Sequence, residues 1–157
     1  MADRTVPVEL TNLVMVEDES GRVLVEKRVK PGWEGLVFPG GHVEKRELIL
    51  DSAVREVLEE TGVIIDTPRL VGIQEFVHPD ASRYIVFLCK AKAIGGKLHG
   101  SEEGDVFWMD LEELKASEHR MPNYFANILK VFLHDELSEY GLIQLREGEY
   151  EFDVSIM

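Results

Sequence analysis

The sequence predicts an α/β fold, a mixed β-sheet sandwiched between α-helices, and three observations predict it. Apolar runs of β type recur over Val6 to Val16, Val23 to Lys27, Leu70 to Val77, Arg83 to Ala93 and Val106 to Met109. Helical periodicity occupies two other stretches, Leu48 to Thr61 and the run holding Phe125, Ile128, Leu129, Phe132 and Leu133. The chain has 157 residues without repeat, low-complexity tract or linker-like break, so residues 1–157 are expected to form a single domain. Strands mixed with helices bury their apolar faces by layering helices on a sheet.

Element by element, Val6, Val8 and Leu10 alternate before Leu13 to Val16 run on continuously, together a β-type run. Glu17-Asp18-Glu19-Ser20-Gly21 is a turn cluster, so Val23 to Lys27 is expected to return as the second arm of a hairpin. Pro31-Gly32 and Pro39-Gly40-Gly41 punctuate a loop-rich segment. The first helix sets Ala53, Val54, Val57 and Leu58 on one side, and Gly62 stands where a left-handed C-terminal cap belongs. The turn Pro79-Asp80-Ala81-Ser82 joins the next two strands. Asp110, with Glu113 three residues on, resembles an N-terminal capping pair before Leu111 to Ala116. Pro122 is read as a first-turn residue of the last helix. Residues 138–157 form a C-terminal extension, read as a last hairpin about Glu147-Gly148.

Composition narrows the function. With 45% hydrophobic and 30% charged residues the chain is globular rather than disordered. Its net charge of −13 argues against nucleic-acid binding, which needs clustered cations, and suits a protein that gathers divalent cations. The start has no apolar leader and no stretch reaches the roughly 18 apolar residues of a membrane helix, so no membrane partner is expected and the expected location is the cytoplasm. The one cysteine, Cys89, excludes an internal disulfide and reads as a small buried hydrophobe. His42, His78, His99, His119 and His134 show no metal-ligand spacing.

The chemistry concentrates in Gly41-His42-Val43-Glu44-Lys45-Arg46-Glu47, seven further residues, then Arg55-Glu56-Val57-Leu58-Glu59-Glu60-Thr61-Gly62-Val63. Each helical residue advances about 100°, so Glu56 and Glu60 lie about 40° apart and Glu59 about 60° to the other side of Glu56. Like charges at these spacings repel. At about 5–6 Å and an effective dielectric near 20, each pair costs about 3 kcal/mol before screening. A bound divalent cation reverses that sign, and oxygen ligands at this charge density suit Mg2+, with Mn2+ as a substitute.

The segment, residues 41–63, resembles the Nudix box, G-x5-E-x7-R-E-U-x-E-E-x-G-U with U aliphatic, and every fixed position is filled. Seven fixed positions at roughly 6% usage each recur by chance at about 10⁻⁹ per window. The resemblance to the family extends over about residues 6 to 137. It implies a Mg2+-dependent hydrolase of a diphosphate linkage in a small nucleotide. The implied metal ligands are Glu56, Glu59, Glu60, the Gly40 carbonyl and an acid from the later loop Ser101 to Asp105, either Glu102 or Glu103. Glu56 is the implied base, while Arg55 is a candidate to pair with Glu47 or Glu56 and hold a carboxylate in place.

Four substrate contacts are expected. Arg28 looks like the arginine that meets substrate phosphate in sanitising members, or is a plain surface cation. Asn12, amid an apolar strand, is read either as reading a base edge or as making a structural hydrogen bond. Trp33 and Phe76 are base-stacking candidates, with core packing the stronger reading for Phe76. Arg28, Asn12, the compact single domain and the Phe38-Pro39-Gly40-Gly41-His42 sequence favour an enzyme resembling the MutT, 8-oxo-dGTP diphosphatase group, which cleanses the nucleotide pool. The first alternative is an ADP-ribose or nucleotide-sugar pyrophosphatase, for which Pro79 speaks. A nucleotide-sensing module without catalysis is the third, against which all box glutamates stand. Monomer and homodimer both remain open.

Overall fold

The computed structural model describes residues 2–146 and 149–153, and the side chains of residues 2–144. The strands are β1 (Val8–Glu17), β2 (Val23–Arg28), β3 (Gly35–Val37), β4 (Val63–Ile65), β5 (Arg69–Val77), β6 (Arg83–Gly96), β7 (Gly104–Met109), β8 (Glu139–Arg146) and β9 (Glu149–Asp153). The helices are α1 (Ile49–Thr61), α2 (Leu111–Lys115) and α3 (Phe125–Leu133). The sheet runs β3-β2-β1-β6-β5-β8-β9, with β4 paired to β6 and β7 to β2. β1 with β6 and β5 with β8 are parallel and the other pairs antiparallel, so the sheet is mixed as expected. No helix among the described residues is long and apolar enough to cross a membrane.

Strand pleating divides the core between two faces. Val14, Val16, Leu24, Cys89 and Ala91 pack with Ala53 and Val57 of α1. Leu13, Met15, Val25 and Leu88 pack with Leu114 of α2 and Phe125, Ile128 and Phe132 of α3 on the other face. A continuous apolar strand with helices on both sides is what this arrangement requires. Cys89 is fully buried, and burial pushes its thiol up to about 11, consistent with a packing role. Tyr140 and Leu142 of β8 are buried in the α3-side core, so the extension adds to the sheet.

Several boundaries differ from the sequence reading, each for a physical reason. Leu58 is 47% exposed, because the buried face of α1 follows Ala53, Val57, Glu60 and Thr61. Pro122 lies before α3, which begins at Phe125 after Tyr124 adopts φ 71°. Asp110 does cap α2, by accepting from the Glu112 N–H at 3.0 Å. β3 and β4, of three residues each, are too short for a period to register. The tail strands pair antiparallel, while the expected turn at Glu147-Gly148 and residues 154–157 lie outside the described residues.

The feature that makes room for a site is the splaying of the first hairpin. β1 and β2 are in register only at Glu17↔Val23, after which β2 pairs with β7 and β3. The freed edge of β1 binds the glycine loop instead. Val14 N donates to Pro39 O, Asn12 N to Gly41 O and Val43 N to Leu10 O, each at 2.9 Å. The loop is thereby fixed by backbone bonds beside the helix that carries the glutamates.

Candidate active site

Helix α1 ends sharply. Gly62 sits at φ 72°, its N–H closes on Leu58 O at 2.9 Å, and a Cβ there would meet Lys97 O at 2.1 Å. Only glycine fits that conformation and that space. The last two turns of α1 are thus held against the β6–β7 connection, which carries Glu103.

The box carboxylates divide into two groups. Arg55 organises the first. Its Nε and Nη2 donate to the two Glu47 oxygens at 2.7 and 2.9 Å, a bidentate fork. Its Nη1 donates to Glu56 Oε1 at 2.8 Å and Glu59 Oε2 at 3.1 Å, and Nη2 also reaches His42 O at 3.0 Å. Arg55 therefore pairs with both Glu47 and Glu56, where the sequence left a choice. The hydrogen bond from Arg55 holds the Glu47 carboxyl below its usual range. Glu56 goes the other way: burial raises its carboxyl despite Arg55. Glu59 is the most exposed of the three helix acids, with 59% of its side chain open to solvent.

The second group faces inward. Glu60 is buried and its Oε2 accepts the Gly40 N–H at 2.9 Å. Oxygens of Glu60, of Glu103 just before β7 and of Glu26 on β2 lie within 4.8 Å of one another. The loop thus brings Glu103, rather than Glu102, to the carboxylates. Arg28 lies among them, with Nη2 at 3.1 Å from Glu26, 3.5 Å from Glu60 and 3.7 Å from Glu103. Its guanidinium also stands 5.3 Å from the centre of the Trp33 ring. A set of converging carboxylate oxygens fits a hard divalent cation, and Glu26 Oε1 is buried without a hydrogen-bond partner.

Burial first, and then the charge of Glu26, push the Glu60 carboxyl up to about 8. The folded chain then holds a proton on Glu60 that the unfolded chain releases near 4.5. Between those values the folded state binds more protons, so rising pH weakens it. Glu26 and Glu56 shift in the same direction, whereas the lowered Glu47 acts below this window. In chelator, the melting temperature is therefore expected to fall from about pH 5 to about pH 8. A divalent cation replaces the proton, so its stabilising effect should be largest at the upper end. Melting curves in EDTA and in excess Mn2+ check this, and a chelated protein that gains stability across the window would refute it.

Next to the carboxylates opens a pocket of about 410 Å3, whose lining includes Arg28, Trp33, Gly40, Gly41, Gln74 and Phe76, together with Tyr84 and Tyr124. That volume is in the range of small-molecule sites. Phe76 meets Tyr84 and Tyr124 edge to face at 6.2 and 6.1 Å, so it serves both the core and the pocket. Gln74 is buried, and its Nε2 has no hydrogen-bond partner. Of the two readings of Asn12, the structural hydrogen bond is present. The residue lines the pocket, and strand parity sets its side chain with Val14 and Val16 on the α1 face. There Nδ2 donates to Ser52 Oγ at 2.9 Å, while Oδ1 is buried without a hydrogen-bond partner. Sequence reasoning missed Glu26 and Gln74. No local signal marked them, because β2 also carries Lys27 and Arg28 and β5 also carries Arg69 and Glu75.

Comparison with known proteins gives a consistent result. The NUDIX domain family model matches residues 9–131. The chain is 34% identical over 111 residues to a Bacillus subtilis protein named uncharacterized Nudix hydrolase YvcI, covering 68% of each. It is 32% identical over 99 residues to the Buchnera aphidicola 8-oxo-dGTP diphosphatase, covering 62% of this chain and 77% of that protein. Among solved structures, the MutT protein from Bacillus halodurans superposes with a TM-score of 0.73 at 29% identity, over 92% of this chain and 97% of the other. The chain spans less than half the length of the vertebrate relatives it matches, 43% for the human one.

Proposed function

The chain belongs to the Nudix family and is a hydrolase of nucleoside-diphosphate-linked compounds, and from that premise we propose that it is a Mg2+-dependent pyrophosphatase of purine (d)NTPs, 8-oxo-dGTP among them. Water adds at one phosphorus, one anhydride P–O bond breaks, and the nucleoside monophosphate and pyrophosphate leave. The observation that carries this reading is the adjacency of the aromatic pocket and the carboxylate group, joined by Arg28 and the glycine loop. A base and sugar in the pocket would set a phosphate chain across Arg28 toward Glu60 and Glu103.

When bound at these carboxylates, the divalent cation neutralises phosphate oxygens and makes water more acidic. Glu60 and Glu103 would hold it, together with Glu56 and the Gly40 carbonyl, whereas Glu59, also expected as a ligand, is exposed and paired with Arg55. Glu56 takes the proton of the attacking water. Arg55 keeps that carboxylate aimed and Glu47 keeps Arg55 aimed. Arg28 offers a permanent planar charge to phosphate oxygens. Gln74 offers the base an amide, which both donates and accepts along a base edge. Trp33 and Phe76 bound the base. The Buchnera relative's name and the Bacillus halodurans MutT likeness support the same substrate class.

The test is kcat/KM for 8-oxo-dGTP, dGTP and ADP-ribose at one Mg2+ concentration, with pyrophosphate or phosphate as the readout. A purine dNTP is expected to lead. A preference for ADP-ribose of about tenfold, roughly 1.4 kcal/mol in transition-state binding, would install the ADP-ribose pyrophosphatase reading in its place. Pro79 gives that alternative little support, because it lies in the exposed turn between β5 and β6.

A further inference from the structure

Glu26 has no part in the chemistry so far, and its position is costly. It is fully buried on β2, between Val37 of β3 and Val106 of β7 in the ladder. Strand parity puts it on the α1 side, with Leu24 and Arg28. A buried carboxylate needs both oxygens satisfied. Arg28 Nη2 reaches Oε2 at 3.1 Å, but Oε1 has no partner. The other groups within reach are Glu60 and Glu103, which are also acids. One arginine among three carboxylates leaves two negative charges uncompensated when all are ionised. A pair designed only to anchor Arg28 would not need to stand beside two more acids.

We infer that Glu26 is a direct ligand of the divalent cation, contributing Oε1 alongside Glu60 and Glu103. The site is then assembled from four separate parts of the chain: strand β2, the glycine loop, the end of α1 and the loop before β7. The orphaned oxygen, the surplus negative charge and the convergence within 4.8 Å are each accounted for by one divalent ion with oxygen ligands. Arg28 keeps its 3.1 Å bond to Glu26 Oε2 and lines the pocket, where phosphate arrives. This inference rests on the cation-dependent reading above but not on the choice of nucleotide.

The experiment measures Mn2+ binding to the full chain without substrate, by calorimetry and by the EPR signal of free Mn2+, alongside melting in EDTA. Glu26→Gln keeps shape and hydrogen bonding and removes the charge. If Glu26 is a ligand, the variant binds Mn2+ at least about tenfold more weakly, while its melting temperature in EDTA holds or rises because a crowded charge has gone. Glu112→Gln, an exposed acid on α2, controls for the loss of one negative charge and should leave Mn2+ affinity within about twofold. If Glu26 merely anchors Arg28, the signs reverse: stability in EDTA falls and Mn2+ affinity stays at the wild-type value, which overturns the inference. Glu26→Asp keeps the charge but withdraws the oxygen by one methylene. It should also weaken Mn2+ binding, and unchanged affinity in that variant counts against direct ligation even if Glu26→Gln does not fold. Wild-type protein that binds no Mn2+ sinks both this inference and the cation reading. A preference for ADP-ribose sinks only the substrate assignment.

Discussion

Replacing Glu56 with glutamine is expected to lower kcat by about 10²-fold or more, the scale of a lost catalytic base, while leaving the fold intact. Glutamine has the same shape, and its carbonyl oxygen still accepts from Arg55 Nη1, which stands 2.8 Å from Glu56 Oε1. What disappears is the charge and the basic lone pair. The helix should not suffer, because Glu47, Glu59 and Glu60 all lie close enough to act on one another or on Glu56 through their charges. Removing one of these like charges relieves repulsion. The melting temperature in EDTA should therefore equal or exceed that of wild type. Loss of turnover with retained stability separates a chemical role from a structural one. Turnover near wild type at saturating Mg2+ would take Glu56 out of the reaction and move the search for a base to Glu59 or Glu60.

The parts of this molecule that were legible in the sequence are those that a local pattern specifies. Strands β1, β2, β5, β6 and β7 and helix α1 follow from period and punctuation, and Gly62 from the need for a left-handed cap. The spacing of Glu56, Glu59 and Glu60 on a helix predicted shared negative charge, and the structure separates those acids into two directions. Glu56 and Glu59 turn to Arg55, and Glu60 turns to the Gly40 N–H. What was illegible depends on long-range pairing. Nothing local says that β2 leaves β1 after one registered pair, yet that divergence lets the glycine loop bond to β1. Glu26 and Gln74 are separated from the box by sequence and meet the site only because β2 and β5 lie in one sheet with β1. Asn12 shows the converse. Its chemistry suited a base edge or a structural hydrogen bond, and pleat parity turns its amide nitrogen toward Ser52. Glu102 and Glu103 are chemically identical, and only the loop conformation distinguishes them.

Gly41→Ala is expected to lower kcat by about 10²-fold through Glu56, although it adds only a methyl group. A Cβ at this position would stand 2.6 Å from Glu56 Cδ and 2.7 Å from each of its carboxylate oxygens. Atoms do not approach so closely, so either the loop or the carboxylate must move. The loop resists, since Gly41 O accepts from Asn12 N at 2.9 Å and Pro39 and Val43 are bonded to β1 on either side. The carboxylate is the freer party, being the far end of a flexible side chain. Its displacement breaks the 2.8 Å bond to Arg55 and misaims the base. Stability should change little, because the displaced group can turn toward solvent. The mechanism is checked by a double-mutant cycle. If Gly41→Ala acts by moving Glu56, it should reduce kcat by no more than about twofold when Glu56 is already glutamine, because residues acting as one unit are not additive. A full further loss of about 10² on that background would mean the methyl group acts on the metal or the substrate directly, and the account of Gly41 as the space reserved for the Glu56 carboxylate would fail.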